Sequence, residues 1–148
     1  GKVLQKGPAK EIIENPKNLK VAEISNDPPM NIIKAKVDSK KIKFENLEIN
    51  LPNHLSKLEN QSFNFGLRAS EIKLNDAGDE FEIELAEISG SETLLHLKRG
   101  NTKLIALIEE VMNFKIHEKV KVVFNSNKFY AFNEEGNLVI SPYGVDNG

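Results

Sequence analysis

The residues best suited to chemistry in this chain are three histidines, at positions 54, 96 and 117. They lie far apart in the sequence, so none has an obvious catalytic partner. His117-Glu118 begins like a zinc-protease motif, but position 121 is Lys, so the second histidine ligand is missing. We therefore expect each histidine to be a surface or half-buried strand residue.

A run of acidic residues, Glu80, Glu82, Glu84 and Glu87, suggests a second kind of chemistry, the binding of a cation. In a strand the first three would share one face, with successive carboxylates about 7 Å apart. Cation ligands normally converge from several elements, so a solvated outer face is the better interpretation. The chain has no cysteine, which excludes disulfides, thiolate metal sites and a cysteine nucleophile.

Two common enzyme motifs are missing from the sequence. A phosphate-binding loop requires the spacing G-x-x-x-x-G-K-[ST], and a hydrolase nucleophile elbow requires G-x-S-x-G. Neither spacing occurs. The sequence therefore predicts no catalytic residue, no cofactor-binding residue and no metal ligand in this chain.

Five lysines form a local basic patch that raises the question of nucleic-acid binding: Lys34, Lys36, Lys40, Lys41 and Lys43. Phe44, Phe63 and Phe65 could supply the stacking rings of a single-strand binding barrel. However, these rings alternate with polar residues and so should face a core, and the formal net charge is −2. We expect no nucleic-acid partner, and an OB-type single-strand module stays the weaker alternative.

The elements that must position these residues change type near position 28. A strand is predicted at Val3 to Gln5, a helix at 9–15, and a second helix over "NLKVAEIS" with Asn18 as its N-cap. The stretch "NDPPMN" then stops any helix, since proline lacks an N–H donor.

Beyond the prolines the hydrophobic period is two, which predicts strands. Ile33, Ala35 and Val37 share one face of "NIIKAKVD", and "DEFEIELAEI" places Phe81, Ile83 and Leu85 together. Gly100-Asn101 predicts a tight hairpin. Eight or more strands with turns between them predict a mainly β fold, an antiparallel OB-like barrel preceded by a short helical segment.

The first third of the chain, "GKVLQKGPAKEIIENPKNLKVAEISNDPPMN", resembles the end of the nucleotide-binding domain in ATPase subunits of carbohydrate-type ABC importers. That branch handles maltose, multiple sugars and glycerol phosphate. The matching positions are Gly1, Gln5, Gly7, Glu11-Ile12, Pro16, Asn18, Val21-Ala22 and Pro28 to Asn31.

The resemblance continues into the strand-rich part and covers about nine tenths of the chain. "FGLRASEIKL" is similar to a G-I-R-P-E strand and turn through Gly66 and Arg68. "AEISGSETLLHL" is similar to another family segment through Glu87, Gly90, Glu92, Thr93 and Leu94. The order and spacing of these matches indicate the family more strongly than any single motif does.

The resemblance implies a domain organisation and a set of site residues. Residues 1–26 would be the tail of the nucleotide-binding domain with its linker, and residues 27–148 a TOBE-type regulatory barrel. The linker or hinge would be Pro28, Pro29, Met30 and Asn31, stiffened by the paired prolines. The candidate regulatory or subunit contacts are Arg68, Ser91, Glu92 and Thr93.

The resemblance also implies a function for the chain: regulation and dimerisation of the importer's ATPase subunit. The chain itself would not be an enzyme, and ATP and Mg would bind in an upstream domain of an ATP-hydrolysing parent. The parent would be a homodimer beside membrane permease subunits on the cytoplasmic face. The alternative from the residues is a barrel binding an oxyanion or small effector through donors such as Arg68, Ser91 and Thr93.

Overall fold

The computed structural model describes residues 9–144, which belong to two compact units. Of the described residues, 9–68 and 126–144 form the first unit, and Ala69–Asn125 is the second unit. The strand predicted at Val3 to Gln5 lies outside the described residues.

Two short helices begin the first unit, α1 (Ala9–Glu14) and α2 (Leu19–Ile24). Both were predicted, and Pro16 lies between them. Asn18 is the N-cap of α2: its side-chain oxygen accepts a hydrogen bond from the Val21 N–H at 2.9 Å. This bond satisfies a backbone donor that the first helical turn leaves without an intrahelical partner.

The first unit contains a six-stranded antiparallel sheet in the spatial order β10-β9-β4-β1-β2-β3. Its strands are β1 (Asn31–Asp38), β2 (Lys41–Phe44), β3 (Leu47–Asn50), β4 (Ser62–Leu67), β9 (Tyr130–Phe132) and β10 (Leu138–Ile140). The predicted alternation in β1 is confirmed, because Ile33, Ala35 and Val37 are buried. Burying one such aliphatic side chain contributes about 1.5–3 kcal/mol, so the alternation determines which face of β1 packs inward.

Main-chain and side-chain hydrogen bonds hold the helices to β10 and to the residues on either side of that strand. The Leu138 N–H donates to the Lys17 carbonyl, and the Leu19 N–H donates to the Gly136 carbonyl. The buried Ser141 hydroxyl donates to the Glu14 carbonyl at 2.9 Å. The segment around α1 and α2 is therefore packed as part of the first unit.

The second unit contains a four-stranded antiparallel sheet in the order β7-β6-β5-β8. Its strands are β5 (Ile72–Ser89), β6 (Glu92–Arg99), β7 (Thr102–Ile108) and β8 (Lys119–Phe124). The hairpin predicted at Gly100-Asn101 joins β6 to β7, with Gly100 at a φ of 58°. A positive φ is the conformation that such a tight turn requires, and glycine adopts it readily.

Two irregularities interrupt β5. Leu74 and Asp79 both lie opposite Val122, so residues 75–78 bulge out of the ladder. A second register shift lies between Ile83 and Leu85. The prediction that Leu85 shares the core face of Phe81 and Ile83 is wrong, because this bulge reverses the face of the residues after it. Leu85 is 43% exposed.

These elements confirm the predicted fold class. The chain is mainly β, with antiparallel sheets and a short helical segment before the first strand, and it is consistent with an OB-like fold. Neither sheet closes on itself within residues 9–144. Over the same residues, no helix is long and apolar enough to span a membrane.

Candidate functional site

The predicted linker docks onto the sheet of the first unit. Met30 and Asn31 are buried, at 3% and 7% exposure, whereas Pro28 is half-buried and Pro29 is exposed. Met30 packs in an apolar cluster with Ala22, Tyr130, Phe132 and Leu138. The linker residue that follows the prolines is thus held by packing against both α2 and the sheet.

Gly66 on β4 provides the space that Met30 fills. A Cβ atom built at Gly66 would lie 2.6 Å from the Met30 sulfur and 3.1 Å from a Phe132 ring carbon. Real side-chain atoms essentially never approach so closely, so a larger residue would displace the Met30 side chain or the ring. The absence of a side chain at Gly66 therefore allows Met30 to occupy its observed position.

Arg68 connects the end of α2 to the sheet. The Asn26 side-chain nitrogen donates to the Ala22 carbonyl, and the Asn26 side-chain oxygen accepts a 3.0 Å hydrogen bond from Arg68 Nε. The Arg68 guanidinium carbon lies 5.3 Å from the centre of the Tyr130 ring, a cation–π distance. We call Asn26, Met30, Arg68 and Tyr130 the linker cluster.

Tyr130 is the buried side of this cluster, with 0% exposure. Burial raises the pKa of the Tyr130 phenol to about 12, and the charge of Arg68 opposes that rise. The phenol therefore stays neutral at physiological pH. The family resemblance indicates Arg68 and the linker but neither Asn26 nor Tyr130 as site residues, because no local pattern shows which distant residues will meet.

The candidate contact residues after Gly90 belong to the second unit, whereas Arg68 belongs to the first. Gly90 has a φ of 61° in the turn between β5 and β6, Ser91 is exposed, and Glu92 is half-buried. Ser91 and Glu92 are thus accessible at the β5–β6 turn, as a subunit contact requires.

Thr93 has a different environment from its neighbours, since its exposure is 0%. Its hydroxyl donates to the Glu110 carbonyl at 2.8 Å and accepts from the Met112 N–H at 3.0 Å. Both bonds attach the segment after β7 to the sheet. The Thr93 hydroxyl therefore stabilises the second unit and does not point to solvent.

The histidines and acidic residues are engaged in separate polar contacts. His54 Nε2 lies 2.7 Å from the Phe129 carbonyl oxygen, and His96 Nε2 lies 3.0 Å from a Glu87 oxygen. His117 Nδ1 lies 2.8 Å from a Glu82 oxygen, and this hydrogen bond is the main cause that lowers the pKa of the Glu82 carboxyl. Across the described residues, no cluster of three or more such side chains could hold a metal ion.

The basic patch lacks the rings that single-strand binding would use. Phe44, Phe63 and Phe65 are 8%, 3% and 0% exposed, so they are part of the core. Lys41 and Lys43 lie within 4 Å of carboxylate oxygens, at 3.3 Å and 3.7 Å from Glu48. The patch is therefore a charged strand surface without a stacking platform.

Comparisons with known proteins agree with the family motifs in the sequence. The chain corresponds to the C-terminal part of the ATP-binding proteins of sugar ABC importers, which confirms the resemblance inferred from the motifs. It is 30% identical over 155 residues to the multiple sugar-binding transport ATP-binding protein MsmK of Streptococcus mutans, a match covering 95% of this chain and 41% of MsmK.

Two further relatives match the chain over a similar extent. The oligosaccharides import ATP-binding protein MsmX of Bacillus subtilis is 26% identical, over 91% of this chain and 41% of MsmX. The Escherichia coli ABC transporter ATP-binding protein YcjV is 27% identical, over 95% of this chain and 41% of YcjV. The chain thus spans about two fifths of the length of these relatives. No protein-family model matches it.

Proposed function

We propose that this chain is the regulatory and dimerising part of the ATP-binding subunit of an ABC importer for sugars or related solutes. The similarity of 95% of the chain to two fifths of MsmK is the observation that carries this proposal. Under it, ATP and Mg bind elsewhere in the parent subunit, which hydrolyses ATP. The subunit works as a homodimer beside membrane permease subunits on the cytoplasmic face.

The contacts of the linker cluster support a way in which movement could be transmitted between the regulatory domain and the ATPase. A regulatory domain influences a transport ATPase only if displacement of one is transmitted to the other, and a loose tether would absorb it. Here the residues after the prolines are buried, and Arg68 bonds to Asn26 at the end of α2. Such anchoring favours joint movement of the helical segment and the first-unit sheet.

A chimera tests the proposal. The matched region of MsmX is replaced with this chain, and oligosaccharide uptake is measured in a strain that lacks MsmX. We expect uptake well above that of a truncated MsmX without the region. A chimera that accumulates to normal levels and hydrolyses ATP, yet restores no more uptake than the truncated protein, would contradict the proposed role.

The gene provides a second test. Under the proposal, the coding sequence adjoining Gly1 encodes a phosphate-binding loop and an ABC signature. An unrelated upstream region would contradict the proposal that this chain belongs to an ABC ATP-binding subunit.

A further inference from the structure

The four-stranded sheet of the second unit has one buried face and one open face. Leu95, Leu97, Leu104 and Ala106 are at most 2% exposed and define the buried face. Residues between them in β6 and β7 point the other way, because strand side chains alternate. We call this opposite side the outer face.

The outer face carries two adjacent rows of residues that are paired across the strands. One row is Leu85, His96 and Ile105, and the other is Glu87, Leu94 and Leu107. Leu85 is 43% exposed, and Leu94, Ile105 and Leu107 are half-buried by their neighbours. Four aliphatic side chains thus form one contiguous patch on a surface that faces solvent in this chain.

The bulge in β5 contributes directly to this patch. Without the register shift between Ile83 and Leu85, continued alternation would turn Leu85 toward the core and Ala86 outward. The irregularity instead places a leucine on the outer face, opposite His96.

Charge is distributed unequally on the two sides of the aliphatic patch. Glu87 and Glu92 lie toward the end of the sheet that carries the β5–β6 turn, and Glu109, which directly follows β7, lies at the same end. Toward the other end, one row across the sheet contains Lys119, Glu82, Lys98 and Lys103. In this row Lys119 lies 3.7 Å from a Glu82 oxygen, and Lys103 lies 3.7 Å from an oxygen of the neighbouring Glu84. The outer face is therefore acidic at one end, aliphatic in the middle and rich in lysine at the other end.

When two copies of the outer face pack against each other, their charge distributions are complementary in one relative orientation. A two-fold axis lying in the contact plane and running across the strands brings the acidic end of one copy onto the lysine row of the other, twice. A two-fold axis along the strands would instead place like charges together, which is unfavourable. We propose that the outer face packs against the outer face of a second copy about the axis across the strands.

The size of the face sets the strength of this contact. The seven residues from Glu92 to Lys98 span about 20 Å, and four strands span roughly 19 Å, so each copy buries on the order of 400 Å². A total near 800 Å² is below the range of stable interfaces. The contact is therefore weak alone, and it names the surface used by the homodimer of the proposed function, on which it rests.

Complementary charge reversals test the arrangement by sedimentation equilibrium between about 10 µM and 1 mM at low salt, where weak contacts are populated. One variant carries Glu92→Lys and Glu109→Lys, and the other carries Lys98→Glu and Lys103→Glu. We expect each to self-associate at least ten-fold more weakly than the wild type. An equimolar mixture should regain association, since one copy is then basic and the other acidic at both ends.

The control is Glu134→Lys with Glu135→Lys, two exposed residues of the first unit, which changes net charge by the same four units as the acidic-end variant. It should associate like the wild type. Three results would each overturn the outer-face dimer. The wild type could remain monomeric at 1 mM, either variant could associate as strongly as the wild type, or the mixture of variants could fail to recover association. The chimera assay reports on the proposed function independently, because uptake by the chimera does not require this particular surface.

Discussion

Replacing Thr93 by valine tests whether a buried hydroxyl stabilises the second unit. Valine keeps the shape of threonine but substitutes a methyl group for the hydroxyl. The Glu110 carbonyl and the Met112 N–H would each lose the partner they have at 2.8 Å and 3.0 Å. Thr93 itself is 0% exposed, so water cannot easily take the place of the hydroxyl.

The magnitude follows from the environment of the two groups left behind. A buried polar group without a partner costs about 1–3 kcal/mol. Glu110 is exposed and Met112 is half-buried, so water can partly hydrate both backbone groups and the total should stay near that range. For a chain of this size, each kcal/mol lowers the Tm by roughly 2–4 °C.

Thr93→Ser is the matched control, because serine keeps the hydroxyl and removes one methyl group worth about 0.8 kcal/mol. Urea unfolding followed by circular dichroism gives the free energy of unfolding, and hydrogen exchange reports on the Met112 amide. We expect Thr93→Val to destabilise more than Thr93→Ser and to expose that amide to exchange. Equal stability of the valine variant and the wild type, with Met112 still protected, would refute the assigned role.

Two further perturbations concern Tyr130 and Gly78. Because burial raises the pKa of Tyr130 to about 12, the folded state resists ionisation of the phenol. The resulting stabilisation is complete below pH 10 and is lost as pH rises toward 12, by about 2–3 kcal/mol. Tyr130→Phe should flatten this part of the pH profile of the unfolding free energy, and an unchanged slope would contradict it. Gly78→Ala places a Cβ against the Val122 carbonyl group and should cost at least about 1–3 kcal/mol in urea unfolding. Gly90→Ala, with nothing within 4 Å, is its control and should cost only about 1 kcal/mol from its positive φ; equal losses would argue against a steric role for Gly78.

Local chemistry predicted most individual elements. The Asn18 cap, the stop at the prolines, the alternation in β1 and the Gly100 turn each depend on a few neighbouring residues, and each is present in the structure. The error at Leu85 has a specific cause. A bulge depends on the partner strand as well as on the strand itself, and the pattern of β5 alone continues smoothly through Glu84.

Predicting the contacts of the site residues requires knowing which residues from distant parts of the chain pack together. Arg68 was selected for its family match, but its contact with Tyr130 depends on the pairing of β4 with β9. Non-local strand pairing is set by the burial of whole faces, so a single segment cannot reveal it. Similarly, the buried setting of Thr93 depends on where the chain goes after β7. The regulatory or subunit-contact roles predicted for Arg68, Ser91, Glu92 and Thr93 stay predictions.

The second unit departs from the first-unit sheet and returns to it between two strands that are hydrogen-bonded neighbours, since Gly66 of β4 pairs with Tyr130 of β9. Its own ends meet as well: the Asn125 backbone N–H donates to the Glu71 carbonyl at 3.0 Å, and the Asn125 side chain donates to the Glu71 carboxylate at 3.1 Å. If residues 69–125 fold first, the loop that β4–β9 pairing must close shrinks from about sixty residues to fewer than ten, which lowers its entropy cost by ~2 kcal/mol. Early folding of residues 69–125 would then promote the pairing of β4 with β9.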